Sequence, residues 1–123
     1  MRYEIKHNSE LNYVEVISFG EFTIDNYRVE IDEAARFGRE KNTFRFLANN
    51  TNLVNLASVS DIYKIPKFYL TSAPERDLKV AALFSEISSN KESVSFYENI
   101  CVNHGLNVNT FFNREEALSW LLS

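Results

Sequence analysis

The chain is short of the residues that most often build sites. Among 123 residues there are three glycines, two prolines, one cysteine, one tryptophan and two histidines. So few glycines leave no phosphate-cradling loop of a known kind. A single cysteine, Cys101, has no partner for an internal disulfide, in keeping with a reducing compartment. Two isolated histidines, His7 and His104, and that one cysteine do not reach metal-ligand spacing, so neither a metal nor another cofactor is expected. Lysine and arginine number 13 against 17 aspartates and glutamates, a net charge of −4, with no basic cluster. Nucleic acid binding rests on a positive face that displaces counterions, so nucleic acid is not an expected partner. No apolar run approaches the ~20 residues that span a bilayer, so no integral membrane segment is expected. The start, Met1-Arg2-Tyr3-Glu4, lacks the apolar centre of a signal peptide, and a cytoplasmic location is the default expectation.

What the chain does have is apolar and aromatic. Apolar residues make up 45%, with ten Phe and six Tyr. The length fits one domain, residues 1–123. The clearest stretch is Leu78-Lys79-Val80-Ala81-Ala82-Leu83-Phe84, where only Lys79 is charged. A run with no polar face predicts a strand covered on both sides, as in parallel sheet packed by helices.

Taken in order, residues 3–7 predict a first strand, with a turn at Glu10-Leu11-Asn12. Residues 13–19 alternate and are rich in β-branched side chains, which predicts a second strand paired antiparallel to the first and ended by Gly20. A helix starts at Thr23, with Phe22 and Tyr27 at the spacing of a hydrophobic staple. Its apolar stripe is Ile24, Tyr27, Ile31, Ala34 and Ala35; Asp25, Glu30, Asp32 and Glu33 are assigned to a solvated face. The helix fades between Gly38 and Asn42. Phe44-Arg45-Phe46-Leu47-Ala48 predicts a third strand, followed by a polar loop, Asn49-Asn50-Thr51-Asn52-Leu53-Val54-Asn55. Ser58 and Asp61 fit a capping box, and Pro66 breaks or restarts the helix that follows. After the 78–84 strand come a polar loop at 85–90 and a helix over 91–104, capped by Gly105. A half-polar last strand at 106–112 is expected at a sheet edge, and Asn113 to Glu116 cap a final helix packed through Ala117, Leu118, Trp120, Leu121 and Leu122. The order β-β-α-β-α-β-α-β-α predicts a five-stranded mixed, mostly parallel sheet with flanking helices.

Three stretches carry a resemblance: Ser60-Asp61-Ile62-Tyr63 with Pro66; Leu78-Lys79-Val80-Ala81; and the ending Phe111-Phe112-Asn113-Arg114-Glu115-Glu116-Ala117-Leu118-Ser119-Trp120-Leu121. With the element order, they make the chain resemble the STAS-like family of sulfate-transporter and anti-sigma-factor-antagonist domains, in its stand-alone bacterial branch, often called SpoIIAA-like. The resemblance implies a small α/β regulatory module that acts by binding another protein. In the phosphorylated antagonists a serine opens the helix after the third strand, within Asp-Ser-Ser/Thr-Gly. Ser58 and Ser60 stand at that place and are the candidate phosphorylation positions, although no Asp-Ser-x-Gly occurs in the chain.

Open α/β sheets bind beyond the carboxyl ends of their strands, and helix N-termini offer free N–H donors. The candidate binding residues are therefore Asn49, Asn50, Thr51, Asn52, Ser58, Ser60, Asp61 and Ser85. An alternative is a small apolar ligand or lipid held as in Sec14-type domains, with the aromatic stretch at 62–70 as a lid. An enzyme is the least favoured class, since no nucleophile, base and orienting group can be assembled from spacing. Cys101 is expected as a buried inert thiol, His104 as a helix C-terminal group, His7 as exposed, and Pro66-Lys67-Phe68-Tyr69 as core packing or a groove wall. A homodimer through the last strand is a further expectation.

Overall fold

The computed structural model describes residues 1–54 and 57–123. It has a single five-stranded sheet in the order β1 (Arg2–Asn8), β2 (Tyr13–Glu21), β3 (Arg45–Val54), β4 (Lys79–Leu83) and β5 (Asn107–Phe111). β1 pairs antiparallel with β2; the other three pairings are parallel. The hairpin turn is held by Asn12, at φ 54, whose side chain meets His7 Nε2 at 3.0 Å. Asn tolerates the left-handed region because its short amide bonds locally.

A sheet that adds each new strand on the same side keeps its crossover helices on one face when they share a hand. Here α1 (Ile24–Glu40), the pair α2 (Val59–Ile62) and α3 (Ile65–Ser72), and α4 (Lys91–Asn103) all pack on the face of Val14, Val16, Phe46, Val80 and Val108. The opposite face is left to α5 (Arg114–Leu121), whose Ala117 and Leu121 cover Leu47, Ala81 and Leu83. Lys79 opens β4 on that side, donating to the Trp120 carbonyl at 2.7 Å with its Nζ over the indole. Arg114, in the first turn of α5, makes two hydrogen bonds to Glu15 of β2, at 2.9 and 2.6 Å.

Most local signals in the sequence have their counterpart in the fold. Phe22 and Tyr27 form the staple, with ring centroids 5.2 Å apart. Ser58 caps α2 through Asp61 N, Asn113 caps α5 through Glu116 N, and Gly105 takes φ +80 after α4. Pro66 sits at the second position of α3, where its missing N–H has no carbonyl to meet. β5 is an edge strand as expected, although Glu98 accepts from Thr110 N at 2.6 Å and occupies one of its outward donors.

Two boundaries differ. β2 runs through Gly20 to Glu21, because β3 is long enough to keep pairing with it. The predicted loop at 49–55 is strand through Val54, and Asn55 lies outside the described residues. Asparagine has poor strand propensity, but bonds to β2 and β4 override it. The register slips between Ile17 and Phe19, one extra residue entering β3, so that both Asn50 and Leu53 reach the α1 face. As the break at Pro66 predicts, the helix after β3 is in two pieces, α2 and α3. α1 ends at Glu40, inside the range expected for it.

Gly38 is in α1 because nothing larger fits. A Cβ there would lie 2.6 Å from Phe46 Cζ and 2.8 Å from the Thr43 carbonyl oxygen. In an exposed helix Gly→Ala stabilises by ~1 kcal/mol. Here the sign reverses: Gly38→Ala is expected to cost about 1–3 kcal/mol through overpacking. Urea unfolding should show a lower midpoint with an unchanged slope.

Candidate functional site

The residues predicted to bind do not gather in one place. Asn49 points to the α5 face, donating to Glu15 Oε2 at 3.1 Å and accepting from Thr51 N and Oγ1. Asn50, its neighbour, points the other way and is buried beneath α1. Asn52 is exposed. Ser58, Ser60 and Asp61 lie after β3, and Ser85 after β4, so these four belong to the carboxyl rim of the sheet. Ser58 Oγ and Ser60 Oγ are 3.3 Å apart, and Ser85 Oγ accepts from Ile87 N at 3.3 Å. Apolar side chains flank the rim: Val54, Val59, Tyr63 and Ile87 are exposed, Ile87 to 98%.

The most unusual chemistry lies under α1. Glu30, assigned above to the solvated face, is only 2% exposed. Tyr27, Glu30, Ile31, Ala34 and Gly38 follow helical spacing on the buried face of α1. The spacing pointed inward; the assumption that a carboxylate stays in water pointed outward. Ser18, on the same side of β2 as Val14 and Val16, is buried opposite Glu30 and donates its hydroxyl to Glu30 Oε1. Among the described residues, Glu30 Oε2 and Asn50 Oδ1 have no hydrogen-bond partner, although Asn50 is only 4% exposed.

Both residues line one cavity of about 40 Å³ between α1, α3 and the sheet. Its walls are apolar and partly small, with Val16, Ile31, Ala34, Ala48 and Val80 among them. A second cavity of about 40 Å³ lies under α2 and α4, against Phe22, Leu53, Ile62 and Phe84. Tyr27 and Asn50 line both, so they form the wall between the two. From Tyr27 a line of hydroxyls continues inward, with Tyr69 and Tyr97 oxygens 3.0 Å apart.

Charge in this interior is governed by desolvation, which disfavours the ionised form of any acid. Burial pushes the Glu30 carboxyl up to about 7, the Ser18 hydrogen bond opposing it. Burial also raises Tyr27, Tyr69 and Tyr97 above the ordinary phenol, and pushes the Cys101 thiol up to about 12. Cys101 is thus a buried, protonated thiol, as the sequence suggested. Glu15 is the contrast. Burial raises it too, but hydrogen bonds from Arg114 and Asn49 outweigh burial and hold its carboxyl below the usual value.

The other singled-out residues have local roles. His104 ends α4 with Nδ1 2.8 Å from the Ile100 carbonyl, and His7 is half-buried against Asn12. Pro66 and Tyr69 belong to the core, while Lys67 is exposed. Among the described residues no three His, Cys, Asp or Glu side chains form a group able to hold a metal ion. Nor is any described helix long and apolar enough to cross a membrane. The chain matches no protein-family model, no curated protein and no solved structure.

The two buried carboxyls make opposite pH signatures. Glu30 is raised from 4.5 to about 7 in the fold, so the folded state holds an extra proton between those values. Stability therefore falls as pH rises through that window, by up to about 3 kcal/mol, and the loss is complete above it. Glu15 works the other way, its contribution being lost as pH falls below the ordinary carboxylate range. Glu30→Gln removes the first effect only. Its stability relative to the unaltered chain should climb from about pH 4.5 to about pH 7 and then level off, as urea midpoints at each pH would show.

Proposed function

We propose that this chain is a binding domain that holds a small ligand in the cavity between α1, α3 and the sheet. One observation carries the reading: Glu30 and Asn50, both deeply buried, line an apolar cavity, and Glu30 Oε2 and Asn50 Oδ1 have no partner among the described residues. Leaving such groups unmet costs about 1–3 kcal/mol each, which a protein usually avoids unless something else fills the place. Apolar walls with a few convergent polar atoms are the usual composition of a small-molecule site. Ser18 beside Glu30 has the chemistry of a nucleophile beside a base, but among the described residues no third group orients Glu30. That favours binding over covalent catalysis.

Fragment binding followed by ¹⁵N–¹H NMR tests this. Compounds small enough for the cavity should give saturable shifts at Ser18, Tyr27, Glu30 and Asn50. Shifts confined to other regions, or none, would remove the reading.

A second reading has its own support. The exposed set Val54, Val59, Tyr63 and Ile87 beside Ser58 and Ser60 gives the carboxyl rim the character of a protein-docking surface. This is the regulatory interaction mode that the STAS-like resemblance implies. A partner recovered with the unaltered chain should be lost with Ile87→Glu or Ser60→Asp while the fold persists. Retention of that partner by both variants would count against the rim.

A further inference from the structure

Resting on the ligand-binding reading above, we propose that the α1 cavity is a site for a short-chain primary ammonium, its N–H groups bonded to Glu30 Oε2 and Asn50 Oδ1. With Glu30 ionised, both unpartnered atoms are acceptors, so whatever completes them must bring donors. Among the described residues no Lys, Arg or His is ion-paired with Glu30. An anion would meet the like charge of the Glu30 carboxylate. A neutral alcohol or water would satisfy hydrogen bonds and leave the carboxylate's charge without a counterion. An ammonium does both.

The remaining walls set the rest of the ligand. Val16, Ile31, Ala34, Ala48 and Val80 offer apolar contact and no further charge. One water needs roughly 10–15 Å³ of such space. The cavity, at about 40 Å³, thus suits an alkyl ammonium of about three heavy atoms.

Binding should be linked to protons. An adjacent cation favours the ionised carboxyl, so the ammonium binds more tightly as pH rises through about 7. The other titratable groups around Glu30 are Tyr3 from β1, Tyr27 from α1 and Tyr69 from α3; Tyr3 is raised to about 12 by burial, and the other two are raised as well. They stay neutral throughout that range.

The test is an NMR titration of the labelled full chain with ethylammonium chloride, ethanol, sodium acetate and tetramethylammonium chloride. Ethylammonium should give saturable shifts at Ser18, Glu30 and Asn50 with millimolar affinity, near the ceiling for so small a ligand. Glu30→Gln should weaken it at least tenfold, and Ala34→Val, which fills part of the cavity from α1, should weaken it too. Shifts from ethanol or acetate at these residues with none from ethylammonium would overturn the ammonium assignment and leave the cavity reading standing. Equal shifts from tetramethylammonium, which has no N–H, would also overturn the assignment. Silence from every probe would remove both, leaving ordered water as the occupant.

Discussion

Sequential growth of the sheet is the constraint from which the rest follows. With strands in the order β1 to β5, the crossover helices α1, α2–α3 and α4 crowd one face, and the other receives only the eight residues of α5. The crowded face must bury long side chains from several helices against one surface. Tyr27, Tyr69 and Tyr97 meet there because each comes from a different helix on the same side. Their hydroxyls need partners in a dry place, and they take one another as well as Asn50. The lightly covered face solves its problem differently, by small residues and one ion pair. Ala81 and Ala117 let α5 lie close, and Glu15 with Arg114 ties its first turn to β2.

The polar interior is a consequence of where β3 changes register. Without the slip, residues 50 and 53 would face opposite sides of the sheet. With it, Asn50 stands between two cavities and Leu53 closes the second. Glu30 arrives at the first cavity from α1, one helical turn beyond Tyr27, and Ser18 arrives from β2. Three elements thus deliver polar groups to one apolar place, yet two acceptors remain unmet. Cores are usually purged of such groups, which is why this one is read as a site.

Much of the fold was legible because the decisive signals are local. Alternation marked β2, the apolar run marked β4, and caps at Ser58, Asn113 and Gly105 marked helix ends. The second half of β3 was not legible, since Asn49 to Asn52 carry no strand signal and are strand because β2 lies alongside, Asn49 alone also pairing with β4. The site was less legible still. Asn50 could be picked out as polar, but not its direction, which depends on the slip. Glu30 lay on the buried stripe by spacing, and its charge argued the opposite. Only the arrival of Ser18 across the sheet and the apolar surroundings decide that its carboxyl is kept inside, near neutrality.

The central claim is that Glu30 is a buried carboxyl facing an unfilled polar position. ¹³C NMR of the carboxyl carbon of Glu30, followed across pH in the intact chain, measures this directly. The account predicts a titration midpoint near 7, well separated from the other glutamates. A midpoint at the ordinary value of about 4.5 would mean that water or a cation already serves the group, and would contradict the account.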